Sequence, residues 1–242
     1  MSIVLLLGSG PNVVSCRDWP RAPFDKIVAI NNAWQVRPDW DHLVYPEDFP
    51  ADRRPTDLKP GQSTITAEDF VPAQNAYGGF VYGGGTMAYT AAYWVLHALR
   101  PKVIACLGCD MVYPKTAQTH FYGKGTADPL REDITLRSLE AKSARLLALA
   151  ARQGCAMINL SKDESRLTYP RSTPAALPMA GCDRAVDQAV DAALKAEAEL
   201  DYMVPSGRYW EQSDRFDVGA IDRIDALWLA TLTERVKADY VN

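Results

Sequence analysis

An α/β fold built on a mostly parallel sheet is what this sequence predicts, and two observations carry that reading. Short apolar runs recur without polar interruption, as strands buried on both faces require. Most runs stop at a glycine, asparagine or proline. Two of the intervals between runs carry helical spacing, which gives strand–loop–helix–strand order. The chain has 242 residues, 48% apolar and 23% charged, so it is long enough to bury a large core.

Ile3–Leu7 is the first apolar run and stops at Gly8. Lys26–Ile30 repeats the pattern and stops at Asn31 and Asn32. His42–Tyr45 is the third and ends in Pro46. Residues 46–63, rich in proline, aspartate and arginine, read as a surface loop, with a short strand over Ser63–Thr66. A glycine-rich turn, Gly83 to Gly85, feeds a predicted helix from Thr86 to Leu99, with Thr86 as a candidate N-cap. Lys102–Leu107 is a strong strand, and residues 108–130 form a long loop. Thr135–Gln153 has one apolar face through Leu136, Leu139, Leu146 and Leu147, and Gly154 suits the position after a helix. Ala156–Leu160 is the last strand.

After residue 170 the character changes. "RSTPAALPMAGCD" reads as a linker. Val186, Val190 and Leu194 mark one helix, and Ile221, Ile224, Trp228 and Leu232 a second, over residues 217–240. We expect residues 1–170 to form a nucleotide-binding α/β domain and residues 171–242 a helical extension packed on it, offering a surface for homo-oligomers.

Bulk properties exclude several classes. The formal net charge is −4 and no long basic block occurs, so no footprint for duplex nucleic acid is present. The first apolar stretch is only about six residues and no basic segment precedes it, which predicts a cytoplasmic protein without a membrane span. The five cysteines are scattered, against a disulfide framework. Cys106 and Cys109 form a CxxC along a strand and its exit, with too few other ligands nearby for a metal centre.

In open parallel sheets, ligands sit beyond the carboxyl ends of the strands. Polar and glycine residues gather there. After the first strand come Gly8, Ser9, Gly10, Pro11 and Asn12, and after the second Asn31 and Asn32. Glu47 and Asp48 follow the third, and Gly108, Cys109, Asp110 and the loop of His120 follow the fifth. Ser161 and Lys162 follow the sixth. Glycines let a backbone approach phosphate oxygens, and the Gly84, Gly85, Thr86 turn offers a helix N-terminus to an anion. Asp39 and Asp41 form a DxD, the metal-binding pattern of many glycosyltransferases. They precede a strand, which places them on the opposite edge.

Four stretches together, "LLLGSGPN", "IVAINNAW", "GGGTMAYTAAYWVLHALRPKVIACLGCDM" and "HFYG", resemble the family 42 bacterial sialyltransferases and the related motility-accessory, MptE-like (DUF115) group. The similarity spans roughly residues 2–165. It implies a Rossmann-like, GT-A-type fold with helices on both faces of the sheet. It further implies a metal-independent transferase that moves a sialic-acid-type sugar from a CMP-sugar to the hydroxyl of a glycan or small acceptor. Carried over residue by residue, Gly8, Ser9, Gly10, Pro11, Asn31 and Asn32 would surround cytidine and phosphate. His120 would be the general base, with Tyr122 assisting the leaving group. Two departures stand out: Asn12 replaces the family's serine after Pro11, and Lys124 stands where the family carries a second histidine.

Sugar transfer needs a base for the acceptor and electrostatic help for the departing phosphate. An ordinary imidazole is partly unprotonated at neutral pH, which suits His120. Lys124, Tyr113 and Tyr122 are candidates for the phosphate, and Asp110 for orienting ribose, acceptor or His120. His42 and His97 read as structural. A competing expectation is an MptE-like pterin diphosphokinase using ATP and magnesium, with Asp110, Glu47 and Asp48 on the metal. A non-catalytic nucleotide-binding module is another. A nicotinamide dehydrogenase is the weakest, because asparagines replace the acidic ribose ligand after the second strand.

Overall fold

The computed structural model describes residues 2–113, 118–123, 131–182 and 187–232. Six strands form one sheet: β1 Ile3–Leu7, β2 Lys26–Ile30, β3 His42–Val44, β4 Ser63–Ile65, β5 Val103–Leu107 and β6 Ala156–Asn159. Their order is β4-β3-β2-β1-β5-β6, and every pairing is parallel. The chain steps outward from β1 to β4, then returns to β1's other side as β5. The order therefore reverses between β1 and β5.

The apolar runs are strands because both faces are covered. All five residues of β1 are buried. Val4 and Leu6 join one core, while Ile3, Leu5 and Leu7 join the other. Burying one such side chain contributes about 1.5–3 kcal/mol, so the centre of the sheet is heavily stabilised.

The two covers differ. Among the described residues, one face carries all the α-helices: α1 Ala67–Asn75, α2 Phe80–Gly83, α3 Met87–Trp94, α4 Leu139–Arg152, α5 Asp187–Leu200 and α6 Val218–Ala230. The other is closed by short 3-10 turns at Pro11–Cys16, Asn31–Gln35 and Pro174–Met179, which supply Val13, Cys16, Ala33 and Leu177. The segment read as a linker is therefore corrected. Leu177 is fully buried in the second core, and its turn seals that face.

Element ends follow local chemistry. The helix expected from Thr135 begins instead at Leu139, because the Ser138 hydroxyl accepts from the Ala141 amide and caps it there. Thr66 opens α1 with a capping box, Asp69 Oδ2 accepting the Thr66 amide at 2.9 Å, a signal already present in "TAED". Thr86 caps α3, which continues as a π-helical turn over Val95–Leu99. The second C-terminal helix is described only to Ala230; its expected continuation beyond 232 lies outside the described residues.

Two buried ion pairs fasten the C-terminal helices to α4. Lys142 Nζ meets Asp225 Oδ1 at 2.7 Å, and Arg145 meets Glu197 through two bonds of 2.8 Å. Glu197 also accepts from Trp228 Nε1 at 2.6 Å. At the amino edge of the sheet, Asp25 and Asp41 each accept a strand amide, from Ile3 and Ile27, both at 2.7 Å. Asp41 pairs with Arg21 and Lys26, and Asp39 with Arg37. The DxD thus tethers strand starts on the edge away from the candidate site. Among the described residues, no helix is long and apolar enough to cross a membrane.

Candidate functional site

The strand order reverses between β1 and β5, and in open parallel sheets ligands sit beyond the carboxyl ends of the strands at such a reversal. There the backbone passes closely. The Gly8 amide donates to the Leu107 carbonyl and the Gly10 amide to the Gly108 carbonyl, both at 2.8 Å. A Cβ on Gly8 would sit 2.2 Å from the Gly108 oxygen, and one on Gly10 2.8 Å from it. Gly108 itself turns with φ +72°. The glycines of "GSGPN" are thus required first by packing between strands, and their two amides are already engaged. Pro11 has no amide hydrogen. The Ser9 and Asn12 backbone amides have no partner among the described residues.

Asn12 is the hub of this edge. Its Nδ2 donates to Asp110 Oδ2 at 2.7 Å, Ser161 Oγ at 2.8 Å and Asp163 Oδ2 at 3.0 Å. Asn159, almost fully buried at the end of β6, adds bonds to Ser165 Oγ at 3.0 Å and Asp110 Oδ1 at 3.4 Å, and its Oδ1 accepts the Ser161 amide. Asp110 is therefore a buried carboxylate held by two amides. Sequence reasoning missed Asn12 as a hub, and missed Asn159 and Asp163 altogether. The signal for Asn159 was an asparagine within the apolar run "AMINL".

Two buried acceptors on this edge have no donor among the described residues: Asn12 Oδ1 and Asn31 Oδ1. A buried polar atom without a partner is costly, so such atoms mark places where a ligand donor would be welcome. Asn31 also holds a left-handed backbone, φ 50°, directly after β2. Asn32 beside it is buried.

His120 reaches the same edge through a tight turn. His120 and Gly123 exchange backbone bonds of 3.0 Å each, and the Phe121 amide donates to the Ser9 carbonyl at 3.0 Å. Phe121 packs into the second core and anchors the turn. His120 Nδ1 bonds the Thr119 hydroxyl at 2.9 Å. Its ring lies 5.0 Å from that of Tyr122 and 6.3 Å from that of Tyr113. Burial lowers the His120 pKa, which keeps the imidazole neutral at pH 7. Burial pushes the Tyr113 hydroxyl up to about 12, so it stays a proton donor. Tyr122 is exposed. Lys124 lies outside the described residues.

The Gly84–Thr86 turn meets this edge at one point: the Thr86 hydroxyl faces Met111 Sδ at 3.6 Å. Gly84 and Gly85 are otherwise packed from behind. A Cβ on Gly84 would touch Tyr89 at 2.7 Å, and one on Gly85 would touch Thr135 Oγ1 at 2.5 Å. The Gly84 carbonyl accepts from Gln74. Glu47 and Asp48 are exposed after β3, and among the described residues no group of three or more His, Cys, Asp or Glu side chains is arranged to hold a metal ion. Cys106 and Cys109 are buried, and the thiol of Cys106 is held protonated by its hydrogen bond with Cys109 and by burial.

The class that this geometry defines is an α/β protein with a parallel sheet and a polar edge at its strand-order reversal, which also carries a neutral histidine and tyrosines. No family model matches the chain, and no curated protein or solved structure matches it.

Proposed function

We propose that the protein is a nucleotide-sugar transferase of the sialyltransferase-like kind, acting at the carboxyl edge of β1 and β5. The observation that supports it most is the docking of the His120 turn on Ser9, which brings a loop with a neutral imidazole to the first-strand turn that also carries Asn12, whose oxygen is unpartnered among the described residues. In this reading Asn12 and Asn31 accept from the amino or hydroxyl groups of a CMP moiety. His120 takes the proton of the acceptor hydroxyl. The new bond forms between that oxygen and the anomeric carbon, and the bond from that carbon to the CMP phosphate oxygen breaks. Tyr113 donates to the departing phosphate. Asp110 and its amide partners position Asn12 rather than touch the reacting atoms.

The test is calorimetric titration with CMP, followed by release of CMP from CMP-sialic acid with lactose as acceptor, in chelator. Micromolar CMP binding that weakens at least ten-fold in Asn31→Ala, with turnover lost in His120→Ala, is the expected result. Absence of CMP binding, or binding by ATP with magnesium instead, refutes the reading.

A further inference from the structure

The opposite edge of the molecule carries a second concavity, of about 450 Å³, lined by Ala76, Tyr77, His97, Arg100, Pro101 and Gln153. That volume lies in the range of small-ligand sites. Pro101 precedes β5, whereas the polar edge described above follows it. The intervening five-residue strand separates the two places by about 17 Å.

Three independent features meet in this hollow. His97 lies on the π-helical turn that ends the α3 segment, a local irregularity found more often at functional sites than elsewhere. Arg100 closes that turn in the left-handed conformation, φ 47° and ψ 51°, where glycine is the default. A large side chain kept at such a position implies a use for the side chain. Third, the site offers donors from Arg100 and Tyr77 with no carboxylate beside them among the described residues. The Arg100 guanidinium makes no ion pair among the described residues; its one bond is a long 3.4 Å contact from Nε to the His97 carbonyl. The Tyr77 hydroxyl accepts from Gln153 Nε2 at 2.6 Å, which leaves its own proton for an acceptor in the hollow. No carboxylate lines the site, in a protein whose net charge is −4.

The walls also offer flat surfaces. The Tyr77 and His97 rings stand edge to face, 87° apart with centroids at 6.1 Å, and the buried Pro101 lines the hollow with them. We infer that this hollow binds a small organic anion bearing a planar ring, with its phosphate or carboxylate on Arg100 and the Tyr77 hydroxyl and its ring against Tyr77 and His97.

Phenyl phosphate is the probe, with inorganic phosphate and phenol as the separated halves, titrated at constant ionic strength by calorimetry and thermal shift. We expect saturable binding of phenyl phosphate that exceeds that of either half. Arg100→Gly is the decisive variant, because glycine relaxes the left-handed turn. Its melting temperature without ligand should equal or exceed that of the parent while phenyl phosphate binding weakens at least ten-fold. His97→Ala should weaken binding as well, and His120→Ala should leave it intact. Undiminished binding in Arg100→Gly, equal loss in His120→Ala, or no saturable binding in the parent chain would each overturn the assignment.

Discussion

Gly8→Ala tests the reading that the first-turn glycines are demanded by strand packing. The added Cβ would sit 2.2 Å from the Gly108 oxygen, 2.7 Å from its carbonyl carbon and 2.8 Å from Cys109 Sγ. Ordinary contacts begin near 3.4 Å, so the ends of β1 and β5 must separate by about 1 Å, and the nearest obstacles are backbone. Overpacking of this kind costs about 1–3 kcal/mol. Separation also weakens the 2.8 Å bonds from the Gly8 and Gly10 amides, each contributing about 1 kcal/mol. The expected loss is about 3–5 kcal/mol, or a fall of roughly 6–20 °C in Tm for a chain of this size. Urea unfolding followed by tryptophan fluorescence, without any ligand, measures it. Gly181→Ala is the control, since nothing lies within 4 Å of its would-be Cβ and its φ is not left-handed. If Gly8→Ala unfolds within about 0.5 kcal/mol of the parent, the packing argument fails, and the glycine serves only a ligand.

Other outcomes follow from the same contacts. Glu197→Ala strands the Arg145 guanidinium in the core and removes the Trp228 partner, and should cost about 3–5 kcal/mol by urea midpoint. A loss below about 1 kcal/mol would mean that the C-terminal helices are held by apolar packing alone. The pKa values of His42 and His120 lie below their ordinary 6.5, through burial in both and through Lys26 near His42. Their protons bind more weakly to the folded than to the unfolded chain, so stability present above pH 6.5 should be lost as pH falls through the lowered folded values. Melting temperatures from pH 7.5 to 5.0 should decline less in His42→Gln, and a flat parent profile would contradict the sign. Four of the five thiols are buried and Cys182 is partly exposed, so one thiol per chain should react promptly with a disulfide reagent and four only on unfolding. Prompt reaction of Cys106 or Cys109 would show that the β5 exit opens in the native state.

Much of the fold was legible because local rules and tertiary burial agreed. β1, β2 and β5 are runs without polar interruption, and such runs fit a strand covered on both faces. The caps of α3, α4 and α6 are side chains that any reader of the sequence can see. Pro174–Met179 was misread because its proline and alanine content describes a loop, whereas one residue, Leu177, decides its burial. The helix α1 was not read from the sequence: Pro72 inside it weakens the helical signal, although its capping box is plain in "TAED".

The site divides in the same way. The sequence alone determined that polar groups crowd the carboxyl edge, since the loops that carry them each begin directly after an apolar run. Only the tertiary structure decided their jobs. Gly8 and Gly10 face Gly108 across a gap of about a hundred residues of chain, and no local pattern encodes that contact. Asn12 bridges Asp110, Ser161 and Asp163 for the same reason. Hydrogen bonds and steric clashes depend on ångström distances between remote segments. Periodicity records only which face of an element is apolar. The first-turn glycines were therefore visible as glycines from the sequence, and became strand spacers only when β5 was laid beside β1.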